Sequence, residues 1–174
     1  MPRPTLVLLG GLPAVGKSTV ASALNEVGRF SYVRIDSIEQ ALRASGEMGP
    51  RGVEAAGYIV GYRVAGDLLD GGNDVLVECV NPIGLTRTAW REVAEAHGAA
   101  LLEAELYCSD PKTHRDRAEN RVVDVAGLKL PDWRAIQTRE YEVWDDADLR
   151  IDTSTTSPHS AAALILAAIS PGTI

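Results

Sequence analysis

The sequence predicts an α/β fold in which a parallel sheet is covered by helices. Three features carry that expectation. Apolar runs of strand length recur at residues 5–9, 32–35, 75–80, 100–108 and 149–151. Segments long enough for helices separate most of these runs, and strands alternating with helices build parallel sheets. The first run leads directly into a glycine-containing loop at a strand-to-helix joint, starting at Gly11.

A chain of 174 residues with 45% hydrophobic content suits one well-buried core, so a single domain over residues 1–174 is expected. The formal net charge of −7 repels polyanions, which argues against a protein that grips nucleic acid or anionic lipid and favours a small-molecule partner. Cys79 and Cys108 end two apolar runs without C-x-x-C spacing, and they read as reduced core residues of a cytosolic protein. The apolar run at 6–9 is too short for a signal-peptide core, and the alanine-rich stretch 161–169 falls far below the ~20 residues that span a bilayer. A cytoplasmic protein with no membrane segment is expected.

Helix signals fall between the strands. A helical run occupies 18–27, and Asp36 opens another helix. Tyr58, Tyr62, Ala65, Leu68 and Leu69 share one helical face that Gly71-Gly72 ends. Asp110-Pro111 and Ser157-Pro158 each pair a capping residue with proline at the first helical position, and Asn81-Pro82 is a third candidate. Between Arg121 and Pro131 the chain turns irregular around Gly127 before Trp133 begins a further helix, which suggests a lid over 115–131. Trp90, Trp133 and Trp144 stand singly on segments read as helical and are expected to pack; His97 and His159 have no partner spacing.

Gly11-Leu12-Pro13-Ala14-Val15-Gly16-Lys17-Ser18 satisfies G-x-x-x-x-G-K-[ST], after a buried strand and before a helix. Its glycines let the backbone curl so that N–H groups point at phosphate oxygens, and the helix adds its positive end. Gly11, Ala14, Val15, Gly16, Lys17, Ser18 and Thr19 are therefore the candidate nucleotide cradle, with Lys17 on the β- and γ-phosphates and Ser18 on Mg²⁺.

Further candidates lie at the carboxyl ends of the strands, where open α/β sheets bind ligands. Asp36 closes the second strand and can accept the proton of an attacking hydroxyl; it also reads as a helix cap, in a capping-box variant with Glu39. Glu78 sits inside an apolar run, so its carboxylate supports the metal, contacts substrate or is paired structurally. The Asn81-Pro82 turn would border the same crevice. Arg117 and Arg121, one turn apart, suit the charge on a phosphoryl group in flight, although Arg115 with Glu119 and Arg121 with Asp124 also read as ordinary helix pairs. Tyr58, Tyr62 and Arg63 lie in a segment that covers an acceptor or belongs to core and surface.

With these motifs in order, the chain resembles the small P-loop kinase, AAA-type ATPase-like families that include chloramphenicol phosphotransferase, gluconate kinase, zeta-type toxins and the kinase domain of polynucleotide kinase. The resemblance is most specific at residues 8–19 and at Arg34-Ile35-Asp36. It implies a three-layer P-loop NTPase fold with a five-stranded parallel sheet in the order 2-3-1-4-5, ATP and Mg²⁺ as cofactors, and Asp36 in the place of the family base. It also implies that Arg117 and Arg121 match lid arginines, and that residues 152–155, including Asp152 and Thr153, lie against the adenine. Where some adenylate-kinase-type members carry an acid pair, this chain has Arg34 and Asp36, a departure that argues against a nucleoside monophosphate acceptor. The expected function is an ATP-dependent kinase acting on a hydroxyl of a sugar, nucleoside, antibiotic or other metabolite. The alternatives are a slow nucleotide-binding switch without an acceptor, and a polynucleotide 5′-kinase, which the acidic charge and lack of a basic strip disfavour.

Overall fold

The computed structural model describes residues 3–46, 55–122 and 125–169. In chain order the elements are β1 (Thr5–Gly10), α1 (Lys17–Val27), β2 (Ser31–Arg34), α2 (Ile35–Ala44), α3 (Ala56–Asp70) and β3 (Val75–Glu78), followed by α4 (Gly84–Ala96), β4 (Ala100–Tyr107), α5 (Pro111–Glu119), α6 (Trp133–Gln137), β5 (Leu149–Asp152) and α7 (Pro158–Ile169). The strands form one parallel sheet in the order β2-β3-β1-β4-β5, the order that the resemblance implies.

The central strand explains why both faces are covered. In β1, Leu6 and Leu8 point into a core with Val33, Ile35, Leu69, Val77 and Trp90, while Val7 and Leu9 point into a second core with Val20, Leu24, Leu106 and Ile165. Side chains alternate along a strand, so a strand apolar at every position is satisfied only between two helical layers. At ~1.5–3 kcal/mol for each fully buried large aliphatic side chain, this double burial is the principal stabilising term of the sheet. One layer contains α1 and α7; the other contains α3 and α4.

Glycines bring α2 close to α3. A Cβ on Gly61 would meet Ile35 Cδ1 at 2.4 Å, and one on Gly57 would meet Glu39 Cγ at 2.4 Å. The missing side chains let α2 lie against α3 at the carboxyl end of β2, beside the phosphate loop.

Expected boundaries hold to a residue or two, with some corrections. The start at Asn81-Pro82 is not a helix start: α4 begins at Gly84, while Asn81 is fully buried with φ 53°. Trp144 is buried in the coil before β5 and not on a helix. Cys79 is in the core, but Cys108 is only half-buried, its Sγ 3.4 Å from the Asp110 carbonyl. Asp110-Pro111 caps α5 as expected, the Asp110 carboxylate accepting from the Lys112 and Thr113 amides. Among the described residues, no helix is long and apolar enough to cross a membrane.

The coil before β5 is held under the sheet by Arg87. Its buried guanidinium donates to the carbonyls of Asn81, Pro82, Glu142 and Val143 and lies 4.8 Å from the Trp144 ring. That ring packs on Gly10, where a Cβ would stand 2.3 Å from Trp144 Cζ3. Gly10→Ala is therefore expected to destabilise the fold by ~1–3 kcal/mol through overpacking against a rigid indole, measured by urea denaturation followed through tryptophan fluorescence.

Candidate active site

The loop after β1 is built from backbone conformations that few residues tolerate. Gly11 has φ 141°, Ala14 64° and Gly16 105°, so the chain passes repeatedly through left-handed space. At Gly11 no side chain fits, since a Cβ would approach the Leu106 carbonyl oxygen to 2.1 Å. Such alternation turns successive N–H groups inward and makes an anion-binding concavity. Gly16 is the N-cap of α1 and supplies no side-chain cap, which leaves the first-turn amides free for a ligand. Val15 is buried in the core and Gly11 packs on β4, so these two serve through backbone and packing, while Ala14, Gly16, Lys17, Ser18 and Thr19 line the cleft.

Lys17 is 7% exposed, and its ammonium donates to the Gly11 and Leu12 carbonyls at 2.8 and 2.9 Å. Burial holds its pKa below the ordinary lysine value, against the Glu78 and Asp36 carboxylates that pull it up. A desolvated ammonium at the floor of an amide-lined loop suits a polyanion.

Glu78, at the end of β3, is 3% exposed. Its Oε1 accepts from Ser18 Oγ at 2.7 Å and its Oε2 from the Tyr32 hydroxyl, with Arg34 Nε 3.8 Å from Oε2. Tyr32 and Arg34 on the neighbouring strand were not singled out as partners from sequence. Their signal is the parallel register, which sets Arg34 opposite Glu78. Among the described residues, no group of three or more His, Cys, Asp or Glu is arranged to hold a metal ion. The Ser18–Glu78 pair thus fits an ion that brings most of its ligands along, as Mg²⁺ on a polyphosphate does.

Asp36 lines the same cleft, whose volume is about 1140 Å³. The capping-box reading of Asp36 and Glu39 is corrected. Arg34 occupies the N-cap without a side-chain bond, Asp36 lies within the first turn, and Glu39 pairs forward with Arg43 at 2.9 Å.

The arginines are also placed differently from a shared helical face. Helix α5 ends at Glu119, so Arg121 lies beyond it, although both Arg117 and Arg121 reach the cleft. Arg117 donates from Nη1 to Thr153 Oγ1 and from Nη2 to the Thr153 carbonyl, both at 2.9 Å. Thr153 in turn donates to the Val15 carbonyl at 2.6 Å, tying the loop after β5 to the phosphate loop. Arg115 and Glu119 form the ordinary helix pair, and Asp124 lies outside the described residues. Asp152 is not among the residues that line the cleft, and its carboxylate accepts from Ser109 and Ser154. Those bonds, Ser109's foremost, hold its pKa well below the usual carboxylate range and join the ends of β4 and β5.

His114 belongs to no sequence motif. It is buried, donates from Nε2 to the Pro13 carbonyl at 2.8 Å, and meets Trp133 edge to face at 5.1 Å. One imidazole therefore joins the phosphate loop to α5, which carries Arg117, and to α6, which follows the expected lid. Its signal was the three-residue spacing from Arg117, which sets both on one side of α5. Of the expected lid, residues 115–122 and 125–131 are described, and the second stretch crosses towards α2, since a Cβ on Gly127 would stand 2.8 Å from Gln40 Nε2.

No protein-family model and no curated protein matches the sequence. Solved structures do match. A presumed kinase from Chloroflexus aurantiacus is 18% identical, with 97% of each chain covered and a TM-score of 0.76. The APS kinase of Mycobacterium tuberculosis, solved with AMPPNP and APS, is 22% identical over 97% of this chain and 99% of that one, with a TM-score of 0.71. A gluconokinase from Sinorhizobium meliloti is 19% identical over 95% and 93%, with a TM-score of 0.66. The fold is thus the α/β P-loop fold over nearly the whole chain.

His114→Phe keeps a ring against Trp133 but removes the donor to Pro13. The expected cost is ~1–3 kcal/mol, that of a buried carbonyl left without its partner, read as a lowered urea midpoint at unchanged slope.

Proposed function

We propose that this protein is a small-molecule kinase that moves the γ-phosphoryl group of ATP to a hydroxyl. The observation that carries the reading is a single cleft with two unlike walls. One wall is the phosphate loop with its buried Lys17 and the Ser18–Glu78 pair; the other is α2, which presents the Asp36 carboxylate. The APS kinase and gluconokinase whose folds it shares lend the same direction.

In this reading the loop amides and Lys17 bind the polyphosphate, and Arg117, steadied by Thr153, joins Arg121 over the phosphoryl group. Mg²⁺ would supply charge neutralisation to the polyphosphate, and Ser18 and Glu78 are the residues that would hold it and its waters. Asp36 accepts the proton of the acceptor hydroxyl as that oxygen bonds to the γ-phosphorus and the bridging P–O bond to ADP breaks. Residues 115–131 act as the lid that keeps water from competing with the acceptor.

Lys17→Ala is expected to weaken ATP binding at least tenfold by titration calorimetry, because it removes the ammonium held at the loop floor by the Gly11 and Leu12 carbonyls. Unchanged affinity would remove the nucleotide reading.

Asp36→Asn is expected to keep the fold and ATP affinity while acceptor-dependent ADP release falls by roughly 10²–10⁴, the usual contribution of a positioned acid or base. A nucleotide switch would instead release ADP at one rate with or without any acceptor. Near-normal turnover in the variant would remove Asp36 from the chemistry.

A further inference from the structure

Helix α2 presents Asp36, Glu39, Gln40, Arg43 and Ala44 to the cleft, a stripe at i, i+3, i+4, i+7 and i+8. At 1.5 Å per residue, Arg43 stands about 10 Å along the axis from Asp36. The stripe is therefore a ruler with a carboxylate at the transfer end, an amide in the middle and a guanidinium at the far end. The lid segment meets α2 at Gln40 and adds Lys129 to the cleft, with Leu128 and Leu130 on either side in sequence.

The charge of the cleft opposes that of the chain. The protein carries −7, yet among the described residues six cations line this one cleft, Lys17, Arg43, Arg117, Arg121, Lys129 and Arg139, against the acids Asp36, Glu39 and Glu78. In the kinase reading, Lys17, Arg117 and Arg121 serve the polyphosphate. Glu78 is occupied by Ser18 and Tyr32. Arg43, Lys129 and Arg139 then remain, in the same cleft as Asp36 and Glu39. Arg43 binds Glu39 through Nη2 at 2.9 Å, but its side chain is still 45% exposed. A guanidinium has five N–H donors, so the pair leaves donors for a second oxyanion and Glu39 fixes their direction. A neutral acceptor would give the spare donors of Arg43 no oxyanion to bind once the lid excludes water.

We propose that the acceptor is an anion, with its hydroxyl at Asp36 and a carboxylate or phosphate group about 10 Å away held by Arg43 and Lys129. The proposal rests on the kinase reading of the same cleft. Its test separates the two.

With the phosphate loop filled by AMPPNP and Mg²⁺, inorganic phosphate and malonate are titrated calorimetrically into wild-type protein and into Arg43→Gln and Lys129→Gln. At least one anion is expected to bind the wild type, and each variant to weaken it at least about tenfold while AMPPNP affinity stays within twofold; the stronger of the two anions assigns phosphate or carboxylate. No anion binding to the loaded wild type, or equal binding by both folded variants, overturns the proposal. In parallel, ADP release is measured with glucose, gluconate and glucose 6-phosphate. Faster release with an acid than with its neutral parent, lost through KM in Arg43→Gln, supports the proposal. Release with glucose alone overturns it. Anion binding at Arg43 with ADP release indifferent to every compound would retain the anion site and count against the kinase reading instead.

Discussion

A lysine ammonium held out of water at the first strand-to-helix joint sets the terms for the structure around it. The Lys17 charge is too costly to bury without partners, so the loop curls back to offer the Gly11 and Leu12 carbonyls, and Glu78 and Asp36 stand near enough to favour the charged form. The curl requires left-handed backbone at Gly11 and Gly16, which glycine adopts freely, and at Ala14, where it is strain that neighbouring elements must hold in place.

Those elements are tied in from both sides. His114 binds the Pro13 carbonyl, Thr153 the Val15 carbonyl, and Trp144 closes over Gly10 beneath Arg87. Each tie comes from a part of the chain more than 100 residues distant, so the loop is fixed by the carboxyl-terminal half of the protein. The same ties set α5 and the coil before β5 relative to the phosphate loop, which links the nucleotide wall to the segment that crosses the cleft. Packing thus serves the site directly.

Asp36, Glu78 and Arg117 illustrate how one cleft divides its labour among charges. Glu78 is consumed by hydroxyls of Ser18 and Tyr32, and Arg117 by Thr153, so both are oriented before any ligand arrives. Asp36 and the outer cations face the open cleft, where a ligand can still choose among them. In the proposed kinase reading, the preorganised groups serve the nucleotide and the open groups serve the acceptor.

The sequence by itself determined the parallel α/β fold and the phosphate loop, because both are written in local patterns. Apolar runs such as residues 5–9 demand burial on two faces, and only glycine permits the turn at Gly11. It also placed Asp36, Glu78, Arg117 and Arg121 near the cleft, because each follows or ends a strand at the sheet's carboxyl edge. It could not determine what each side chain touches. Asp152 is turned to Ser109, Arg121 falls past the end of its helix, and Glu39 pairs forward instead of capping. His114, Tyr32 and Arg43 acquire meaning only through neighbours distant in sequence or through the shared wall of α2. Only the tertiary structure decided these, since a hydrogen bond or ion pair depends on distances that the folding of the whole sheet brings about.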